Sequence, residues 1–492
     1  MTELESFRML IDGAWVDAAD GGLLDSINPA TGKVWAHFPA ATAADVDLAV
    51  EAAYRAMNEG LWSRMTATER GKALHRLGDL LVEHGEAIAR AESRDTGKLL
   101  RETSGQIRYM AEYFRYFGGL ADKVEGQVLP IDKPDMLAMT VREPIGVVAA
   151  IVPWNSALML SAVKLGPALA AGNAVVLKAS EQGPAALLSF AGLFEKAGFP
   201  AGVVNVITGL GDPCGQALTT HPLVARIAFT GGPATARHVL RNAAENFAHV
   251  SLELGGKSPV LVFDDADLDS AANGIVAGIF GASGQSCVAG SRLIVQRTVA
   301  ADLLDRIGAR ARRIVIGDPL AAQTEMGPLA TRAQLTHTET LIARSLEQGA
   351  SLLYGGQRLP GDGWFFQPTI LHCPDASIAA FQEEFFSPVL SVLAVDGEEE
   401  AIRAANDTRY GLAAGIFSRD GARCLRVMRR LRSGIVWINT YRVVSPMAPF
   451  GGFGESGFAR EGGLESIQDY TRVKAVWFNY ATQPIQDPFV MR

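Results

Sequence analysis

Between residues 144 and 256 the chain alternates between short β-branched runs and helical stretches, and few folds accept such a pattern. "IGVVAAIVP" (145–153) is apolar throughout, as expected of a strand covered on both faces. "ALMLSAVKLGPALAAG" (157–172) reads as a helix closed by glycine. The series continues with "NAVVLKAS" as strand, "GPAALLSFAGLFEKAG" as helix and "VVNVITG" as strand. "PCGQALTTH" is a short helix and "VARIAFTGG" a strand; "PATARHVLRNAAE" is a helix with Pro233 in its first turn. "HVSLELGG" ends the series as a strand. Right-handed βαβ crossovers would wind these pieces into a parallel sheet, with ligands bound beyond the carboxyl ends of the strands.

A second alternation follows Gly256: "SPVLVF", "SRLIVQ", a helix over about 301–315, then "ASLLYGG" and "GIVWIN". Residues 43–120 read as core-facing helices. "EGQVLPI" and "MLAMTVRE" read as strands reaching outside both units. A chain of 492 residues is too long for one core. The expected division is a dinucleotide-binding domain (1–123 and 144–255), a catalytic domain (256–455) and a small β-flap (124–143 and 471–492).

Charge and cysteine usage narrow the function. A net charge of −8 gives no basic surface for nucleic acid. The four cysteines, Cys214, Cys287, Cys373 and Cys424, are far apart and form no C-x-x-C pair, which argues against a metal site and for a reducing compartment. "MTELESFRML" lacks a signal-peptide layout. The apolar stretch from Pro144 to Ser161 is broken as a membrane span by Pro144, Gly146 and "PWN". The expectation is a cytoplasmic protein without membrane partners.

Five strand-end loops carry the chemistry. "GASGQSCVAG" (281–290) surrounds Cys287 with small residues, room for a carbonyl carbon to approach the sulfur. Alone, Cys287 reads as a small buried hydrophobe. Glu253 in "LELGGK" lies between two leucines, where desolvation would raise its pKa toward that of a general base; otherwise it is a solvent-facing strand glutamate. Asn155 of "PWN" could donate to an oxyanion, or serve as a turn asparagine. "KAS" with Glu181 suits ribose hydroxyls, and "FTGG" (229–232) before a helix suits a pyrophosphate.

With these motifs in order, together with "DGAWVDAADGG", "INPATGKV", "EEFFSPV" and "PFGGFGESGFARE", the chain resembles the aldehyde dehydrogenase superfamily nearly end to end. The resemblance implies a Rossmann-like doubly wound α/β domain, an α/β catalytic domain and a β-flap used for oligomerisation, in a homodimer or homotetramer. It implies that Cys287 is the nucleophile, Glu253 the general base and Asn155 the oxyanion donor, with Lys164 and Glu461 relaying protons away from the base. It also implies an NAD site, with NADP as the alternative acceptor. Lys178 and Glu181 would hold the adenosine ribose, Thr230, Gly231 and Gly232 the pyrophosphate, and Glu384 and Phe386 the nicotinamide ribose and ring, with Pro153, Trp154, Ser180, Gly211 and Leu254 also binding the cofactor. Ser156, Met159, Val163, Ser286, Val288, Tyr441 and Arg442 would line the substrate passage.

Departures from the family pattern are Ala236 for a glycine, Ser387 for the glycine of "E-x-F-G-P", and Ser156 with Ala157 in place of a bulkier pair, which should widen the passage. Arg442 in "NTYRVV" favours a polar or anionic substrate group, or else pairs at the surface. The expected reaction is oxidation of a catabolic aldehyde or semialdehyde to its acid through a thiohemiacetal and a thioester. The rivals are a coenzyme A-acylating enzyme, against which Glu253 speaks, and a catalytically silent binding protein, which need not keep both Cys287 and Glu253.

Overall fold

A computed structural model describes residues 4–485 and 487–489. The outermost ends of the expected dinucleotide-binding and flap segments (1–3, 486 and 490–492) lie outside the described residues. The alternation forms an eight-stranded sheet. At its centre lie five parallel strands in the order His249–Leu254, Val224–Gly231, Val147–Ile151, Ala174–Lys178, Val204–Ile207. Nearly every residue of the middle strands is buried, because helices cover both faces. Chain order runs outward from Val147–Ile151 on one side, then returns to its other side with Val224–Gly231. The crevice at that reversal is where a ligand of a doubly wound sheet sits.

Three helices, Ala43–Asn58, Ala67–Thr96 and Leu100–Leu120, account for residues 43–120. Gly97, left-handed at φ 74°, ends the second, and the third begins three residues later at Leu100. The helix expected over 183–198 is split at Gly192 into Ala185–Ala191 and Leu193–Ala197.

A seven-stranded sheet occupies the later part of the chain. It contains the expected strands and three that sequence reading passed over: Thr369–His372, Val389–Val395 and Ala413–Phe417. The helix expected over about 301–315 runs instead from Arg297 to Ala311. It starts directly at the strand end, and Ile316 is drawn into a bridge with Met326. The two strand-like segments outside these sheets pair as Val128–Leu129 and Met136–Pro144, and Thr471–Asn479 joins them along nine residues. Among the described residues no helix is long and apolar enough to cross a membrane.

Candidate active site

A cavity of about 280 Å³ opens at the reversal point of the first sheet. Its walls come from separated stretches of the chain: Pro153–Asn155 with Leu160, Thr230–Gly232, Glu253–Gly255, Cys287, Gln334 with His337, and Glu384–Phe386. Strand register explains part of this gathering. Thr230 is paired with Glu253, and Ile151, just before the "PWN" turn, with Phe229. The short strand Gly457–Phe458 adds to the same edge with Gly457 opposite Glu253, bringing the glycine-rich C-terminal motif against the carboxylate.

Cys287 follows a tight turn in which Ala282 and Ser283 are both left-handed, at φ 53° and 54°. Such a pair is costly for residues bearing a Cβ and persists only where neighbours fix it. Glu102 accepts from the Ala282 N–H (3.0 Å), Ser283 Oγ donates to the Gly327 carbonyl (2.8 Å), and Gln285 Oε1 accepts from the Ala330 N–H (2.8 Å). Asn155 Nδ2 donates to the Gln285 carbonyl at 3.0 Å, tying the "PWN" turn to the cysteine loop.

The electrostatics are those of a dry pocket. Burial, and then the carboxylates of Glu253 and Glu384, push the Cys287 thiol up to about 12, with Arg442 opposing them. Burial and the nearby Glu461 raise Glu253 well above the usual carboxylate range, while Lys164 and Arg460 pull it back. Neither oxygen of Glu253 has a hydrogen-bond partner. Desolvation of this kind makes a carboxylate a stronger base than it is in water. Lys164 and Glu461 form a buried ion pair beside it. Glu384 is raised to about 7 by burial and accepts from the Gly256 N–H at 2.9 Å. There is no room for a Cβ at Gly255 against that carboxylate.

The remaining expected residues take varied positions. Lys178 Nζ donates to the Gly209 (2.7 Å) and Ala179 (3.1 Å) carbonyls, and Glu181 is half-buried after the same strand. Ser180 Oγ accepts from the Gln182 N–H, and Gly211 is exposed with open space around it. Trp154 and Phe386 meet edge-on at 5.5 Å. Leu254 is buried in the cavity wall. Met159 and Ser286 are half-buried; Val163 and Val288 are buried. Tyr441 is buried behind the cysteine loop, its hydroxyl donating to the Val288 carbonyl (3.1 Å) and its ring packed against Gly278, Gly290 and Gly415. Arg442 Nη1 donates to the Ala277 (3.1 Å) and Gly281 (3.4 Å) carbonyls at the end of the helix Leu268–Phe280.

Two departures from the family pattern acquire a physical setting. Ala236 is buried with Val239 and Ala243, so its methyl adds to packing under the helix Pro233–Asn246. Ala157, expected to widen the substrate passage, is fully buried in the core. Sequence reading missed the helix Arg332–Glu347, from which Gln334 Nε2 donates to the Phe385 carbonyl and His337 Nε2 lies 3.2 Å from the Glu384 carbonyl oxygen. It also missed Lys98, whose ammonium donates to the Asn155 carbonyl. Among the described residues no group of His, Cys, Asp and Glu is arranged to hold a metal.

A cysteine and a buried carboxyl meet at the switch point of a doubly wound sheet, where folds of this class bind dinucleotides. The sequence pattern of the aldehyde dehydrogenase family matches residues 15–476, and the chain belongs to that family. It is 56% identical, over 99% of this chain and 100% of the relative, to the (Z)-2-((N-methylformamido)methylene)-5-hydroxybutyrolactone dehydrogenase of Acinetobacter baylyi. The fold is similar to that of betaine aldehyde dehydrogenase from Staphylococcus aureus in complex with NAD+ (TM-score 0.95, 38% identity, 98% and 96% of the two chains). It is similar as well to the NAD+ complex of aldehyde dehydrogenase from Bacillus cereus (TM-score 0.95, 40% identity, 97% of each chain).

Proposed function

We propose that this protein oxidises an aldehyde to its carboxylic acid with NAD as hydride acceptor and water as the final acyl acceptor. The observation that carries this reading is the meeting of Cys287, Glu253 and Asn155 in one cavity with Trp154, Thr230–Gly232 and Glu384–Phe386.

The residues present fit a dinucleotide. Thr230 Oγ1 is buried without a partner, and Gly232 stands at the start of the helix Pro233–Asn246 with nothing near its Cβ position. Free N–H groups there suit phosphate oxygens. Glu181 and Lys178 would hold the adenosine ribose, and Glu384 the second ribose. When bound, the nicotinamide supplies the hydride acceptor.

The chain's own residues supply the rest. Cys287 Sγ passes its proton to water in the cavity and attacks the aldehyde carbon, the carbonyl π bond breaking to give the thiohemiacetal oxyanion. Asn155 Nδ2 turns from the Gln285 carbonyl to the developing oxyanion, joined by the Cys287 backbone N–H. Collapse of that adduct breaks its C–H bond, the hydride leaving to the acceptor, and a thioester remains on Sγ. Glu253 takes a proton from water, the hydroxide adds to the thioester carbon, and the C–S bond breaks to release acid and thiol. The pair Lys164–Glu461 provides an exit for the proton from Glu253.

For the substrate, the Acinetobacter relative points to a hydroxylactone, which is the ring-closed form of a semialdehyde acid. Ring opening exposes an aldehyde on a molecule bearing a carboxylate. Arg442, close enough to Cys287 to act on its thiol electrostatically, is the cation that favours such an anion. The test is cofactor reduction with a panel of hydroxylactones, open semialdehydes, betaine aldehyde and simple aliphatic aldehydes, with and without coenzyme A. Turnover without coenzyme A, fastest on the carboxylated members, is expected. Turnover that depends on coenzyme A means an acylating enzyme, and no turnover on any member means a binding protein.

A further inference from the structure

Lys98 occupies the corner between two long helices, one residue after the left-handed Gly97. It is 7% exposed, and its ammonium faces three oxygens: the Asn155 carbonyl, Ser156 Oγ at 2.6 Å and Gln106 Oε1 at 3.3 Å. An ammonium has three protons and no lone pair, so these acceptors use it completely. Ser156 Oγ in turn donates to the Asn155 carbonyl at 2.7 Å. Two donors therefore converge on the backbone oxygen of the residue whose side chain is read above as the oxyanion donor.

A buried ammonium is retained only against compensating charge. Glu92, on the helix leading to the same corner, is 1% exposed and neither of its oxygens has a hydrogen-bond partner. It lies near enough to Lys98, and to the first N–H groups of the helix Ala157–Ala170, to interact electrostatically though outside hydrogen-bond geometry. Glu102 is the other acid facing Lys98, and it also fixes the Ala282 N–H of the cysteine loop. Ser156, at the amino end of the helix Ala157–Ala170, makes no side-chain cap bond there; its hydroxyl is engaged with Lys98 and the Asn155 carbonyl.

We propose that Lys98 is a positioning residue for the oxyanion hole: by gripping the Asn155 carbonyl and Ser156 Oγ it fixes the "PWN" turn, so that Asn155 Nδ2 is aimed at the carbon attacked by Cys287. Lys98 itself touches no reacting atom. The inference rests on the role given to Asn155 under the proposed function.

The experiment measures the single-turnover rate of cofactor reduction, with the fastest aldehyde of the panel, in a cycle of Asn155→Ala, Lys98→Met and the double variant. Asn155→Ala is expected to slow it by about 10²–10³. Lys98→Met is expected to slow it by roughly 10-fold to 100-fold, with the dissociation constant for NAD and KM for the aldehyde held within about twofold. The double variant should be no slower than Asn155→Ala alone, within about threefold, because both changes remove one interaction. Full-rate Asn155→Ala overturns the reading of Asn155 whatever Lys98 does. Losses that multiply in the double variant, or a Lys98→Met effect confined to KM, overturn the role of Lys98. Since Lys98→Met leaves Glu92 uncompensated, the cycle is repeated in a Glu92→Gln background. A chain that fails to fold there as well makes Lys98 a folding element and equally overturns the proposal.

Discussion

Burial and two carboxylates push the Cys287 thiol up to about 12, so at neutral pH the free protein holds it almost entirely protonated. Alkylation of the free protein by iodoacetamide should therefore be slow at neutral pH and accelerate about tenfold per pH unit across the mildly alkaline range. Mass spectrometry of the product reads both rate and position. Cys214 and Cys373 are fully buried and Cys424 is 3% exposed, whereas Cys287 keeps part of its surface open, so a single adduct at Cys287 is expected. A rate independent of pH would show that a neighbour already holds the proton. Cys287→Ala should lower turnover by at least about 10³-fold while leaving NAD affinity nearly unchanged, because sulfur forms the covalent bond and the strand-end loops hold the dinucleotide. Glu253→Gln keeps the volume and loses the base. Its steady rate should fall by about 10²–10⁴-fold, with the first turnover of cofactor reduction preserved as a burst. Loss of the burst together with the steady rate would give Glu253 the added task of activating Cys287.

The elements that carry the cleft were the most readable part of the chain. Strands such as Val147–Ile151 and Ala174–Lys178 are buried along their length, and continuous β-branched runs report that environment directly. Ala413–Phe417 is buried as well, but its "AAGIF" has no β-branched run to announce it. Lys98 was unreadable for a different reason: its partner carbonyl lies 57 positions later in the chain, and only the packing of two helices against the "PWN" turn brings them together. Cofactor choice belongs to this scale because it depends on what the loop after Ala174–Lys178 presents. Lys178 donates two of its three protons to carbonyls, and Glu181 is the acid beside the expected ribose. A 2′-phosphate there meets like charge, so NAD should exceed NADP in kcat/KM. Glu181→Ala should raise kcat/KM for NADP by roughly tenfold and lower it for NAD by less. Equal efficiency of the parent with both cofactors would refute this account.

At the scale of the whole molecule, the flap projects apolar surface that this chain does not cover. The strand Thr471–Asn479 pairs with Met136–Pro144 on one side and is terminal in its three-stranded sheet, which leaves its other edge without a described partner. Val473, Trp477, Phe478 and Tyr480 are each more than half exposed. A long edge strand bearing large apolar side chains is an aggregation hazard unless another chain covers it. Lys474 pairs with Glu143 across the strands, so charge on this sheet is used partly within the chain rather than to repel neighbours. A second copy is the expected cover, in a homodimer or a homotetramer built from two such pairs. Light scattering should then give a mass two or four times the 52.4 kDa of one chain. Trp477→Glu with Phe478→Lys introduces charge where the interface must be dry, and should shift the mass to that of the single chain. Cys287, Glu253, Asn155 and the dinucleotide-lining residues all come from one chain, so the dissociated variant should still bind NAD with an affinity within a few-fold of the parent. A parent that runs as a single chain, or a charged variant that keeps its assembled mass, would place the subunit contact elsewhere.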